Sequence, residues 1–190
     1  MKRLHILIPA LLAVTIPARA APAEDTPMVW AFRHFCADEA FTLDEARLAV
    51  AVAGGKQRGP AAKMPGAPSV TFWDIAIKGS KLTVALGGQR VPAAPGGAAD
   101  MVACTIYADG SDDAGVAALR RWAGVAPSRQ SAAKDLSVYR FLSEKGKHLP
   151  EPDALSGQGD SAVRVWQLYL LSGPQPNASL IRFFKVREHS

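Results

Sequence analysis

Val70-Thr-Phe-Trp-Asp-Ile-Ala-Ile77 runs into Lys78-Gly79-Ser80-Lys81 and then into Leu82-Thr-Val-Ala-Leu86. The first and last of these segments are rich in aromatic and β-branched residues, which suit a pleated surface. The middle one is short and polar and carries a glycine. Together they read as an antiparallel hairpin. Met101 to Tyr107 continues the pattern as a third strand, with Val102, Cys104 and Ile106 alternating onto one face. Between these strands and around them, residues 54–69 and 87–100 are dominated by Gly, Pro and Ala, and read as loops. The first of these carries Lys56, Arg58 and Lys63 without an acid.

Two helices flank the hairpin in the chain. Thr42-Leu43-Asp44-Glu45 matches a capping box, in which the Thr hydroxyl and the Glu carboxylate each satisfy a backbone donor left free at a helix start. Leu43, Ala46, Val50 and Ala53 follow at helical steps and Gly54-Gly55 ends the run, so a helix is expected over 43–53. Upstream, Val29, Phe32 and Cys36 share helical spacing and predict a shorter helix with Cys36 facing inward. Downstream, Ser111 is placed to cap another helix with Asp112 and Asp113 in its first turn. Val116, Leu119 and Ala123 form its apolar face, and Arg120 and Arg121 lie near its end, where cations complement the helix dipole.

Three more strands are expected at Ser137–Leu142, Val163–Leu171 and Leu180–Val186, the last two joined through Gly173, Pro174 and Pro176. The strand over 163–171 is apolar on both faces, which argues for a central strand covered on both sides, or for an interface. A run of neighbouring strands with few helices favours an antiparallel sheet over a parallel nucleotide-binding one. The expected fold is α+β: a single domain over residues 29–190, with a mostly antiparallel sheet of about six strands and two or three helices packed on it.

The front of the chain sets an expected compartment. Lys2 and Arg3 precede an eleven-residue apolar run from Ile6 to Ile16, and Ala18-Arg19-Ala20 supplies small residues where a signal peptidase reads. Residues 1–20 therefore read as a secretory signal peptide and residues 21–28 as a mobile lead, placing the mature chain in the periplasm or outside the cell. The apolar run is too short for a permanent membrane span, so no transmembrane anchor is expected after cleavage. The 190 residues carry 22 basic and 17 acidic side chains, a net charge of +5. Lys2, Arg3 and Arg19 leave with the signal, and +2 remains, too little for the basic surface of a nucleic-acid binder.

Cys36 and Cys104 are the two cysteines. In an oxidising compartment an even count favours pairing, and a disulfide between them is expected. His34-Phe35-Cys36 has no second close pair to complete a zinc site, and no Cys-x-x-Cys redox motif is present. The chain also lacks a Gly-x-Ser-x-Gly elbow, a phosphate loop and a paired-histidine metalloprotease helix. No metal and no cofactor is expected.

Two features retain chemical interest. His148 lies in Glu144-Lys-Gly-Lys-His-Leu-Pro-Glu-Pro-Asp153, near Glu151 and Asp153, where it could act as a general base or stand as a solvated loop histidine. Residues 120–148 hold Arg120, Arg121, Arg129, Lys134, Arg140, Lys145 and Lys147 against Asp135 and Glu144, a local +5. Such a stretch is either an ordinary solvated face or a surface for an anionic partner.

With Phe32-x-x-x-Cys36, the capped helix, Phe72-Trp73 and Cys104 in place, the layout resembles small exported bacterial proteins of unknown function that are rich in alanine and carry two cysteines. The resemblance implies no activity and transfers no site residues. The leading expectation is a non-enzymatic periplasmic module that binds or scaffolds an envelope protein or an anionic polymer, with Arg120, Arg121, Arg129, Lys145 and Lys147 as candidate contacts. The alternatives are a small exported hydrolase with His148 as base and Glu151 or Asp153 orienting it, and a carrier of a small apolar ligand.

Overall fold

The computed structural model describes residues 25–37, 42–59, 69–93, 97–130, 135–144, 146–150 and 165–185. The expected signal peptide and the side chains of Lys145, Glu151 and Asp153 lie outside them. Among the described residues three helices and nine strands form: α1 (Pro27–Phe35), α2 (Leu43–Val52), β1 (Lys56–Gln57), β2 (Ser69–Ile77), β3 (Ser80–Ala93), β4 (Gly97–Ala108), α3 (Asp113–Ala123), β5 (Arg129–Gln130), β6 (Leu136–Glu144), β7 (Lys147–Pro150), β8 (Val165–Leu171) and β9 (Asn177–Lys185). Every strand pairing is antiparallel, in the order β1-β2-β3-β4-β9-β8-β6-β5, with β7 also paired to β6. The fold is α+β on a single sheet.

The β2–β3 hairpin closes more tightly than its polar segment implied. Ile77 pairs with Ser80, leaving Lys78 and Gly79 as a two-residue turn with φ of 49° and 82°. Positive φ at both positions matches the twist of the flanking strands, and glycine meets it without strain.

Two loop expectations are corrected. Residues 87–93 and 97–100 are strand, because β3 and β4 pair continuously from Leu82↔Ala108 to Ala93↔Gly97. Local composition disfavours strand there, but ladder hydrogen bonds and close packing override it. A Cβ on Gly88 would come within 3.1 Å of Leu43 Cδ2, so the small residue lets α2 approach the sheet. Likewise, the segment containing His148 is the edge strand β7, paired Ser143↔His148 and Glu144↔Lys147. The strand count rises from about six to nine because β1, β5 and β7 are too short to show an alternation of their own.

The helix starts hold as expected, with shifts of a residue or two. The Thr42–Glu45 capping box forms in both directions. The first helix begins at Pro27 rather than Val29, and Met28 is fully buried, so the lead is already part of the fold by that point. Asp112, not Ser111, caps α3: its carboxylate accepts from Gly115 N at 2.9 Å and from Thr26 Oγ1 at 2.8 Å. Thr26 is the cap of α1, so the N-termini of α1 and α3 are joined cap to cap.

All three helices pack on one face of the sheet. Adjacent strands present Val84, Leu86, Cys104, Ile106, Leu180, Leu168, Phe141 and Trp166 to that side, all buried, alongside Met28, Phe32 and Phe35 from α1 and Val116 and Leu119 from α3. Cys36, the C-cap of α1, forms a disulfide with Cys104 at the middle of β4, with the two Cα atoms 5.4 Å apart. The bridge fastens the helix layer to the sheet.

Candidate functional site

The described basic residues of the 120–148 stretch lie on α3 and on strands β5, β6 and β7. Arg120 and Arg121 occupy the last turn of α3 and are exposed. Gly124 ends that helix in the left-handed conformation, with φ of 65°. Arg120 Nη2 reaches Ser137 Oγ at 3.5 Å on β6. Ser137 pairs with Gln130 of β5, so Arg129 stands one register position away, opposite Val138. Lys147 is exposed on β7, along the same side of β6. Arg129 and Lys147 therefore lie along the same edge of β6, opposite Val138 and Glu144, and Arg120 reaches that strand from α3, while the side chain of Arg129 and residue Lys145 lie outside the described residues.

His148 is what fastens this edge to α3. Its Nδ1 lies 3.0 Å from Trp122 O and 3.1 Å from Ala123 O, the last carbonyls of the helix. Carbonyls only accept, so Nδ1 carries the hydrogen and donates. The ring packs against Trp122, with centroids 4.5 Å apart, and against Phe141, 4.3 Å apart. The histidine is thus half-buried and caps the C-terminus of α3. Two backbone carbonyls hold the position that a carboxylate orienter would take in a catalytic pair.

Trp166 continues the aromatic cluster, and the Arg182 guanidinium lies 5.9 Å from its ring centroid. Arg182 is fully buried, and sequence reading missed it as a core position. The signal was present: Ala178, Leu180 and Arg182 share one strand parity, and the first two are inward and buried.

The opposite end of the sheet holds an open cavity of about 460 Å³ lined by Gly54, Lys56, Arg58, Asp74, Lys81, Thr83 and Asp109, together with Ile75, Ala76 and Leu82. Arg58 Nε donates to Asp74 Oδ2 at 2.6 Å, and Nη2 donates to Thr83 Oγ1 at 3.1 Å. The hydrogen bond from Arg58 holds the Asp74 carboxyl below its usual range, against a smaller opposing effect of burial. This lining is mixed and ionic, unlike the closed apolar chamber that a carrier of an apolar ligand needs. Among the described residues no three His, Cys, Asp or Glu side chains converge as metal ligands, and no helix is long and apolar enough to cross a membrane.

No family model, curated protein or solved structure matches the chain.

Proposed function

We propose that the mature chain is an exported, non-enzymatic module that binds an anionic polymer of the cell envelope through the edge built from the last turn of α3 and strands β5 and β7. The observation that carries this reading is that exposed Arg120 and Arg121 end α3, with Arg120 reaching β6, while exposed Lys147 and the β5 position of Arg129 pair with the same edge of β6. Arg120, Arg121 and Lys147 are exposed. Like charges held at this spacing raise the local potential and attract a polyanion, and the attraction weakens as salt screens beyond about 8–10 Å. The buried disulfide accords with an oxidising compartment.

The test is titration of the disulfide-intact chain with a fluorescent anionic polysaccharide at low and physiological salt. Binding that falls with salt and is lost in Arg120→Glu/Arg121→Glu/Lys147→Glu supports the reading. Equal binding by the triple variant, or none by the parent at low salt, removes it. Recovery of an acidic envelope protein instead, by crosslinking, would transfer the same edge to a protein partner.

A further inference from the structure

The cavity at the β1–β3 end of the sheet is not used by the basic edge on β6. Ile75, Ile77 and Leu82 are buried in the core, so the residues alternating with them face away from the helices. On that side the register sets Lys56 beside Asp74 and Asp74 beside Thr83 in one row, and Ala76 beside Lys81 in the next. Arg58 N donates to Phe72 O at 2.8 Å, so the β1 pairing runs on past Gln57 and Arg58 shares the side of Lys56. Ala76 is exposed and ends at its Cβ, between Asp74 two residues before it and Lys81 across from it. Long polar side chains around one methyl leave a hollow, the cavity of about 460 Å³. That volume lies within the range of about 300–1,000 Å³ that holds a small organic molecule.

The charged groups of this cavity have different tasks. One oxygen of Asp74 accepts from Arg58 Nε, and the other pairs with Arg58 Nη2 and accepts from Thr83 Oγ1 at 3.2 Å. Thr83 Oγ1 in turn accepts from Arg58 Nη2. The three groups close on one another and fix the guanidinium by one edge. Its Nη1 has no hydrogen-bond partner among the described residues, and the ammonium groups of Lys56 and Lys81 have no hydrogen-bond or ion-pair partner there either. A guanidinium keeps its charge and carries five donors in a rigid fork, so an arginine already held by one edge offers the rest with little ordering cost. The Asp74 hydrogen bond is the first cause that holds Arg58 above its ordinary value, and Asp109 adds a weaker pull of the same sign, which places Asp109 in the same field. Asp74 is thus committed to Arg58. Lys56, Lys81 and the free edge of Arg58 remain, with exposed Asp109 as the one other carboxylate of the lining.

We infer that this cavity is a binding site for a small organic oxyanion, a carboxylate or a phosphate monoester, held by Arg58, Lys56 and Lys81. Asp109 accepts from a hydroxyl or ammonium group of the same molecule. An oxyanion takes charge-assisted hydrogen bonds from several cations at once, and a planar guanidinium matches its geometry with two parallel N–H donors. Asp74 and Thr83 act as positioning residues, since they orient Arg58 and leave its outer edge to the ligand. The inference is independent of the anionic-polymer reading, which uses the other end of the sheet.

The test is an amide NMR titration of the disulfide-intact chain at low salt, with glycerol 3-phosphate and, separately, with lactate. Saturating shifts are expected at the amides of Lys56, Arg58, Ala76 and Lys81, with a dissociation constant of about 1 mM or below for at least one of the two. The tighter ligand decides between phosphate and carboxylate. Lys56→Ala/Lys81→Ala, at two exposed positions, should weaken binding at least about tenfold. Should that variant disturb β1, Lys81→Ala alone serves, with a loss in the same direction. Asp74→Ala separates positioning from general attraction. It removes a negative charge, so attraction to a basic surface predicts tighter binding, whereas release of the Arg58 guanidinium predicts weaker binding, the result expected. A dispersed amide spectrum verifies the fold of each variant. Shifts that do not saturate with either ligand, shifts of equal size over β5 and β7, unchanged affinity in the folded lysine variants, or tighter binding by Asp74→Ala would overturn the inference.

Discussion

Replacing both Cys36 and Cys104 by alanine tests how much the bridge contributes to the fold. The cysteines are 68 residues apart in the chain, and both are buried, at 0% and 1% exposure. In the chain-entropy model, opening a loop of that size releases about 4 kcal/mol of unfolded-state entropy at 25 °C. Alanine leaves no unsatisfied polar group at either site, so the cavity left by each sulfur adds only a smaller loss. Urea unfolding followed by tryptophan fluorescence should show a stability lower by about 4 kcal/mol. The melting temperature should fall by about 10 °C, on the size scaling for chains of this length. The slope of stability on urea should rise, because the unlinked unfolded chain exposes more surface. Intact mass after alkylation, with and without reductant, independently verifies the bridge in the parent. A loss below about 1 kcal/mol with an unchanged slope would refute the reasoning, since loop closure would then not be what the bridge supplies.

Gly115→Ala should destabilise the fold by about 1–3 kcal/mol in the same urea assay, although alanine is the better helix former. The new Cβ would collide with the Asp112 carboxylate and lie 2.7 Å from Thr26 Oγ1, breaking the joint that caps both α1 and α3. Thr42→Ala should cost about 1 kcal/mol through loss of the capping box. The Glu45 carboxyl is held below its ordinary value of 4.5, first by the Thr42 backbone N–H and then by its hydroxyl. A depressed folded value means that its stabilising effect is present above the unfolded pKa and lost as pH falls through the folded one. An NMR titration should therefore place the Glu45 midpoint below 4.5 in the parent, moving upward in Thr42→Ala. His148→Ala should destabilise by about 1–3 kcal/mol as the carbonyls of Trp122 and Ala123 lose their donor. Amide exchange should quicken in the last turn of α3 and in β7, and unchanged protection in both would contradict the capping role.

The amino-acid sequence by itself determined the elements whose signals are local. The hairpin around Lys78-Gly79, the Thr42–Glu45 box, the apolar faces of α2 and α3 and the strand bearing Cys104 all rest on periodicity or on contacts within a few residues. For that reason they were readable, although β3 and β4 extend well past their expected ends, to Ala93 and from Gly97. The alternation of Val102, Cys104 and Ile106 onto one face suited a disulfide buried beneath a sheet, and Cys104 is buried in the bridge to Cys36.

What tertiary structure decided is whatever depends on partners distant in the chain. Gly87, Gly88 and Pro92 read as loop, yet they are strand because β4 pairs with them, and Leu43 needs the space at Gly88. His148 read as a loop residue or a base, and became a helix cap only when β7 docked beneath α3, some 25 residues earlier in the chain. Arg182 is buried because β9 inserts between β4 and β8. The double-sided apolarity of β8 was visible in the sequence, but only the sheet order placed it between β9 and β6, on the far side of a seam that joins β4 to a strand about 70 positions later. Local propensity is worth tenths of a kcal/mol to about 1 kcal/mol per residue, and burial or a completed ladder outweighs it wherever the two disagree.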